Sequence, residues 1–522
     1  MNRAVYFGAA ALVAAAVMLP VADRVATFAP GASMQQPAVG ASDAGDADPA
    51  KPCFGPVTNG ITIRCGRLQV PEDYAEPDGR AVTFGYMRLR PAVVDSSAPP
   101  LYFVDGGPGT GTTGAADFYP SFWLEWVKNV GLQRELILFD QRGVGASVPS
   151  LNCTELDEPV ARANLSRDGR TFPGFAELSD AALKACRARL IAEGVAIDQY
   201  NSNNIIRDME RLRAHLGHDR IALIGVSNGT RIALKYLRQY SAVVDAVVLD
   251  SVAPPDVAIS REYLFSFMTS FRRMAEVCQE QPTCAARYPD PVDLLARALQ
   301  RLEEKPIDVA VENRRGGAPY VLRVDDLTLF DLLFDMAYGV SGYERMLSII
   351  ASIAEGREPE LGSIATHFVH DGVLNPALYE GAYWSIDCAD EFDAAATGPL
   401  LARLRADPLM ARWAVDYWYR APCSYWGMTP RPADERAAVV SGVPTLLLAD
   451  FFDPVTPPDY ARHAARTLAN AQVHVFRYGG HTVSFSHPCA YRMIREFLRA
   501  PMTRVDAACV AEVKPRVFDV AE

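Results

Sequence analysis

The sequence has no surplus of positive charge: 51 Lys plus Arg stand against 63 Asp plus Glu, a net charge of −12. It carries no local basic stripe either, so nucleic acid is not an expected partner, because phosphate is held by clustered cations. Metal-ligand spacing is missing too. The ten cysteines are scattered singly with no Cys-x2-Cys pair, and His367 and His370 have no third ligand in view. No metal and no cofactor are therefore expected. With 49% hydrophobic and 22% charged residues, disorder, collagen-like repeats and a multi-span membrane protein are poor fits. A folded globular chain remains, of several domains or of one large α/β domain with insertions.

The first residues bear on the compartment. Met1 to Arg3 give a short positive start, and Ala4 to Ala22 contain no charge, which is the pattern of a secretory signal. At this length an uncleaved N-terminal anchor is the rival reading, and only in that case is a membrane expected as a partner. No cysteine follows the apolar run, which argues against a lipoprotein. Residues 33–50 are small, polar and rich in Pro and Gly, as a disordered tether is, so folding is expected to begin near Lys51. Export to the periplasm or beyond would let cysteines oxidise. Proximity suggests Cys53 with Cys65, Cys153 with Cys186, Cys278 with Cys284, Cys388 with Cys423, and Cys489 with Cys509.

Short apolar runs bounded by turn residues read as strands at Val82 to Leu89, Leu101 to Val104 and Glu135 to Phe139. A helix is expected from about Asn203 to Leu216, where Ile205, Met209, Leu212 and Leu216 share a face and Gly217 stops the run. Ile221 to Ile224 reads as a strand, Gly229 to Arg238 as a helix, and Asp245 to Leu249 as a strand again. The alternation returns at Pro444 to Ala449, a helix from about Asp459, a strand near Val473 to Phe476, and a last helix from about Ala490 to Leu498. It argues for a parallel sheet with helices on both faces. Between Pro255 and about Val439 the pattern lapses into helical, aromatic-rich segments such as Tyr263 to Met274. The expected division is a leader over 1–32, a tether over 33–50, core over 51–255 and 440–522, and a mostly helical insertion over 256–439.

One turn carries the chemistry. Gly225-Val226-Ser227-Asn228-Gly229 joins an apolar strand to a helix, and its glycines allow the tight bend that presents a serine at a sheet's carboxyl edge. The bland alternative is a serine that merely caps the helix. A serine needs a base, and the base needs an acid, in the order Ser, Asp or Glu, His for this arrangement. The strand ending at Ala449 runs into Asp450 and Asp453, and the strand ending at Phe476 runs into Gly479-Gly480-His481. The expected triad is Ser227, Asp453 and His481, with Asp450, Asp250 and His487 in reserve. Backbone donors for the oxyanion are expected from Asn228 and from the loop Asp105-Gly106-Gly107-Pro108-Gly109, through Gly106 and Gly107.

The DGGPG loop, FDQRGVGAS at Phe139 to Ser147, GVSNGT, DPVTPP, GGH and the tail SFSHPC together resemble the secreted branch of the proline iminopeptidase and tripeptidyl aminopeptidase family. The resemblance runs from about residue 53 to 509. It implies an α/β-hydrolase fold with a mostly parallel sheet and an inserted, mostly helical cap over the site. It implies an exported serine aminopeptidase that acts through an acyl-enzyme on peptides with free N-termini, with acidic cap residues holding the substrate ammonium. Two positions depart from the pattern: Asp105 stands where proline iminopeptidases usually have His, and Asn228 where the tripeptidyl branch usually has Tyr. The stretch Glu380 to Glu391 supplies Glu380, Asp387, Asp390 and Glu391, of which Asp390 and Glu391 are the chosen candidates for the ammonium. Trp384, Trp413, Trp418 and Trp426 either line a pocket or pack the cap. A small-molecule esterase or amidase, and a non-catalytic binding protein of the same fold, remain alternatives.

Overall fold

Four strands with every residue buried run through the middle of the protein, Leu101–Val104 (β4), Leu136–Phe139 (β5), Ile221–Val226 (β7) and Thr445–Asp450 (β11). Such runs lack polar alternation because both faces of their sheet are covered. The computed structural model describes residues 51–52, 60–113, 119–156, 165–166, 175–314, 319–339, 342–373, 375, 377–414, 422–513 and 516–520. The expected leader, the tether, Cys53 and Trp418 lie outside the described residues.

The remaining strands are Lys51–Pro52 (β1), Thr62–Pro71 (β2), Ala81–Arg90 (β3), Leu165–Ser166 (β6), Val244–Asp250 (β8), Ile307–Val311 (β9), Tyr320–Val324 (β10) and Ala471–Phe476 (β12). Helices of eight or more residues are Tyr119–Val130 (α1), Phe175–Ala192 (α2), Ser202–His215 (α3), Asn228–Tyr240 (α4), Ile259–Gln279 (α5), Pro291–Glu304 (α6), Asp326–Tyr338 (α7), Tyr343–Ala354 (α8), Glu380–Asp390 (α9), Thr397–Ala406 (α10), Pro458–Ala465 (α11) and Pro488–Arg499 (α12). The main sheet has the order β1-β2-β3-β5-β4-β7-β8-β11-β12. From β5 to β12 its neighbours are parallel, while β1, β2, β3 and β5 pair antiparallel. The chain thus has the α/β-hydrolase architecture, with the carboxyl ends of the parallel strands at one edge.

Each face of the sheet has its own apolar core. On one side α2, α3 and α4 bring Leu183, Met209, Leu212 and Tyr236 onto the strands. On the other α1 and α12 bring Trp123, Trp126, Met493 and Phe497. The expected helix near Asn203 is α3. Asn201 caps it by accepting the Asn204 N–H at 3.1 Å, and Gly217 ends it at φ +66°.

A third core belongs to the segment between β8 and β11, built from α5 to α8 and α10, while α9 joins the core on the α2–α4 face through Ala382 and Ile386. Tyr263, Phe267 and Phe271 share a buried face of α5, as their spacing predicts, and Phe267 packs on Phe330 of α7 with ring centroids 4.6 Å apart. Two features differ from the sequence reading. This segment holds a three-stranded antiparallel sheet, β6-β10-β9, whose first strand precedes the whole insertion in sequence. The C-terminal residues also leave the main sheet: Phe518 joins the third core, and the Asp519 N–H donates to the Glu344 carbonyl at 2.8 Å. Trp413 packs against Phe330 in the third core, and the buried Trp426, part of the core on the α2–α4 face, donates its indole N–H to Ser385 at 2.9 Å, so both are packing residues.

Among the described residues four of the expected disulfides are formed, Cys153–Cys186, Cys278–Cys284, Cys388–Cys423 and Cys489–Cys509; the expected partner of Cys65, Cys53, lies outside them. Three of them close loops of 33, 35 and 20 residues. Chain entropy makes each of these bridges worth about 3 to 4 kcal/mol. Reduction is therefore expected to lower the thermal midpoint markedly, measured by calorimetry with and without reductant; an unchanged midpoint would contradict this.

Candidate active site

The elbow between β7 and α4 holds Ser227 at φ +52°, a left-handed conformation that only the surrounding structure sustains. Its carbonyl accepts the Thr230 hydroxyl at 2.6 Å, and its N–H donates to the Asp250 carbonyl at 2.9 Å. The two motif glycines are required by close approach. A Cβ on Gly225 would sit 2.7 Å from the Gly229 carbonyl oxygen, and one on Gly229 would sit 2.1 Å from that of Val104 in β4.

Asp453 and His481 meet where β11 and β12 end. The Asp453 Oδ2 atom accepts the His481 Nδ1–H at 2.7 Å and the Thr456 hydroxyl at 2.7 Å; Oδ1 accepts the Val455 and Thr456 N–H groups at 2.9 and 2.8 Å. Burial would raise this carboxyl, but the facing His481 charge and these donors outweigh it and hold it at about 2. An ionised acceptor fixes the proton on Nδ1 and leaves Nε2 as a base. That Nε2 is buried and has no hydrogen-bond partner among the described residues.

Tyr338, at the end of α7, completes the arrangement and was not foreseen from sequence. Its ring lies on His481 with centroids 4.4 Å apart, its carbonyl accepts the His481 N–H at 3.1 Å, and its side chain lies beside Ser227. The link from Asp453 to His481 is thus closed while the link from His481 to Ser227 is open.

The loop after β4 packs directly on the nucleophile. A Cβ on Gly106 would lie 2.9 Å from the Ser227 Cβ. The expectation that both Gly106 and Gly107 are free donors needs correction, because the Gly106 N–H already donates to the Asp105 carboxylate at 2.8 Å. The Gly107 N–H remains, together with that of Asn228, which opens α4 and has no acceptor within the helix. Asp105 also accepts the Thr112 hydroxyl at 3.0 Å; its burial outweighs these donors and lifts it to about 6. The Asn228 side-chain Nδ2 is buried beside the nucleophile with no partner among the described residues. The FDQRGVGAS stretch is scaffolding for this loop. Asp140 accepts the N–H groups of Thr112, Thr113 and Ala146, and Arg142 makes a buried two-pronged pair with Asp208 at 2.8 and 2.7 Å.

The reserve groups do other work. Asp450 accepts the Phe452 and Gly479 N–H groups at 2.9 and 2.8 Å and so orders the loop that carries His481. Asp250 accepts the Ser484 N–H at 2.6 Å, and His487 caps α12. Asp390 and Glu391 are a second correction. Asp390 pairs with Lys235 at 3.0 Å and accepts the Ser202 hydroxyl at 2.8 Å; Glu391 pairs with Arg231 and accepts from Ser260. Both are buried, and buried carboxylates of this kind are held by their cations rather than left for a ligand. Arg231 and Lys235 stand one turn apart on α4, so the four residues clamp α9 to the core. Asp387 lies beside this network, and burial together with Glu391 pushes its carboxyl up.

The buried acids set a pH window for stability. Burial raises Asp105 and Asp250 to about 6 and Asp450 to about 8, so each keeps in the folded state a proton that the unfolded chain loses near pH 4. Their contribution is complete below that pH and is lost as pH rises through 6 and 8. Asp453 acts oppositely, its contribution present above about pH 4 and lost as pH falls through about 2. The thermal midpoint is expected to be highest near pH 4 and to fall as pH rises through 6 toward 8; a scan rising to pH 8 would contradict this.

Comparison with known proteins agrees with the fold. Residues 99–296 match the family model described as alpha/beta hydrolase fold, and residues 411–509 match that of a TAP-like protein. Serine protease Hip1 of Mycobacterium tuberculosis is 23% identical over 442 residues, 81% of this chain and 82% of its own. Tripeptidyl aminopeptidase of Streptomyces lividans is 24% identical over 492 residues, covering 87% and 85%. Carboxylesterase B of M. tuberculosis is 26% identical over 235 residues, 43% of each chain.

Proposed function

We propose, for a chain that belongs to the α/β hydrolases, that it is a serine peptidase hydrolysing peptide bonds near free N-termini through an acyl-enzyme. The observation that carries this reading is the buried Asp453–His481 pair with its unpartnered Nε2 beside the strained Ser227. The two relatives that span most of the chain are peptidases by name, which supports a peptide over a simple ester.

The reaction follows from the atoms in place. Ser227 turns to His481, gives its proton to Nε2, and its Oγ bonds to the substrate carbonyl carbon. The carbonyl oxygen takes the electron pair and is met by the N–H groups of Gly107 and Asn228; losing one such donor costs about a hundredfold to a thousandfold in rate. Asp453 balances the imidazolium. His481 then protonates the leaving amine as the C–N bond breaks, and a water that gives its proton to Nε2 releases the acyl group from Ser227. Tyr338 orients the ring that performs both transfers.

Export is part of the proposal, supported by the four disulfides and by the apolar N-terminal run. No helix among the described residues is long and apolar enough to cross a membrane.

Matched peptidyl anilides with free and acetylated amino ends test the reading. Free forms are expected to show kcat/KM higher by about 10- to 100-fold, the worth of a charged hydrogen bond at the amino group. Equal cleavage of both, or cleavage of small esters alone, would overturn it in favour of an esterase.

A further inference from the structure

One acid stands inside the oxyanion loop, where the reaction builds negative charge. Asp105 follows β4, and its carboxylate accepts two bonds, from the N–H of its neighbour Gly106 at 2.8 Å and from the Thr112 hydroxyl at 3.0 Å. Its carbonyl is held separately, by the Gln141 side-chain amide at 3.0 Å. Gly106 in turn lies on the nucleophile, since a Cβ there would be 2.9 Å from the Ser227 Cβ and 3.5 Å from its Oγ. One glycine therefore separates this carboxylate from Ser227.

The cations nearby are committed elsewhere. The charged neighbour that acts on Asp105 is another acid, Asp140, which accepts the N–H groups of Thr112, Thr113 and Ala146. Arg142 is paired with Asp208 at 2.8 and 2.7 Å, and His481 has its own carboxylate in Asp453. From α9 the loop meets the backbone of Tyr383, which lies against Gly109. Desolvation, helped by Asp140, outweighs the two donors and raises the Asp105 carboxyl to about 6.

Both bonds survive a change of charge. Oδ1 accepts the Gly106 N–H whether or not the group is ionised. A proton on Oδ2 is donated to the Thr112 hydroxyl, which accepts as well as it donates. Protonation thus removes a negative charge and leaves the loop in place. As an acceptor, Asp105 turns the Gly106 N–H away from the substrate and leaves those of Gly107 and Asn228 to meet the oxyanion. As an anion it opposes that oxyanion, because like charges repel strongly where water is excluded.

We infer that Asp105 is a positioning residue whose charge governs acyl transfer: it holds the oxyanion loop in both protonation states, and the neutral acid permits the oxyanion that the carboxylate opposes. This rests on the acyl-enzyme reading and holds equally for a peptide or an ester. Reaction at Ser227 then slows as pH rises through about 6, where Asp105 ionises. His481, which must be neutral to act as the base, sets the limit in acid.

The test uses the full protein and an alkyl fluorophosphonate, a probe that needs no known substrate. Ser227 Oγ bonds to phosphorus, its proton passes to His481 Nε2, fluoride leaves, and the phosphoryl oxygen takes on charge at the oxyanion site. The second-order labelling rate is followed across about pH 5 to 9 in the wild type, Asp105→Asn and Thr112→Val. The wild-type rate is expected to fall as pH rises through about 6. Asp105→Asn keeps both bonds without the charge; it is expected to lose that fall and to label about 10-fold faster near pH 8, the order of effect of one unit charge a few Å away. Thr112→Val removes a donor to the carboxylate and is expected to move the fall to higher pH. A wild-type rate that does not fall, or an Asp105→Asn that labels more slowly at every pH, would overturn the inference. Should Asp105→Asn fail to fold, Thr112→Val decides, and a fall left at the wild-type pH overturns it. If the wild type is not labelled at Ser227, the acyl-enzyme reading itself fails; labelling at Ser227 with a profile indifferent to both substitutions defeats only the role of Asp105.

Discussion

Ser227→Ala is expected to lower kcat by between about 10⁴ and 10⁶ while leaving KM and the thermal midpoint almost unchanged. The methyl group keeps the volume of the side chain, and the backbone bonds that hold residue 227, to Asp250, Thr230 and the helix behind, do not involve the hydroxyl. What disappears is the one atom that can bond to the substrate carbon. Asp453→Asn is expected to cost about 10⁴ in kcat by a different route. The amide would no longer fix the proton on Nδ1 of His481, so the ring could present the wrong nitrogen to Ser227. Because the groups act in one proton relay, Ser227→Ala combined with Asp453→Asn should be barely worse than Ser227→Ala alone, and additive losses would contradict a shared relay.

The largest effect on folding is expected from Gly229→Ala. The added Cβ would stand 2.1 Å from the Val104 carbonyl oxygen and 2.5 Å from that of Asp105. These are backbone atoms of β4 and its loop, and β4 is held in the sheet between β5 and β7, so no side chain can rotate aside to make room. Overpacking a core usually costs about 1 to 3 kcal/mol, and a contact with fixed backbone lies at or beyond the upper end. Gly398→Ala provides the contrast. It lies in α10 with nothing within 4 Å of its Cβ position, and should gain about 0.5 to 1 kcal/mol from helix propensity alone. Denaturant midpoints of the two variants, measured side by side, check this; equal effects would mean the elbow is not packed as described.

The parts of the site legible in the sequence are those written in short local patterns. A glycine-flanked serine after an apolar strand, an acid just past another strand and a histidine in a glycine loop each declare themselves within a few residues. Contacts between distant segments were not legible. Asp390 and Glu391 are visible as acids, but their cations Lys235 and Arg231 lie 155 and 160 residues earlier, and only the fold brings them together. Arg231 and Lys235, one turn apart and set among Ile232, Ala233, Leu234, Tyr236 and Leu237, were the one available signal, since basic residues so placed need buried partners. Likewise Asp105 was noticed as a departure from a familiar loop, while its capture of the next N–H depends on a side-chain torsion that no pattern records. Tyr338 carries no motif at all. The small sheet β6-β10-β9 escaped because one of its strands is two residues long and precedes the insertion it joins.

The central claim is that Ser227 is a nucleophile activated by His481. Its most direct test is reaction with a fluorophosphonate followed by mass analysis of the digested protein. One adduct per chain is predicted, on the peptide containing Ser227, absent in Ser227→Ala and formed far more slowly in Asp453→Asn. No adduct, or an adduct on another residue that persists in Ser227→Ala, would contradict it.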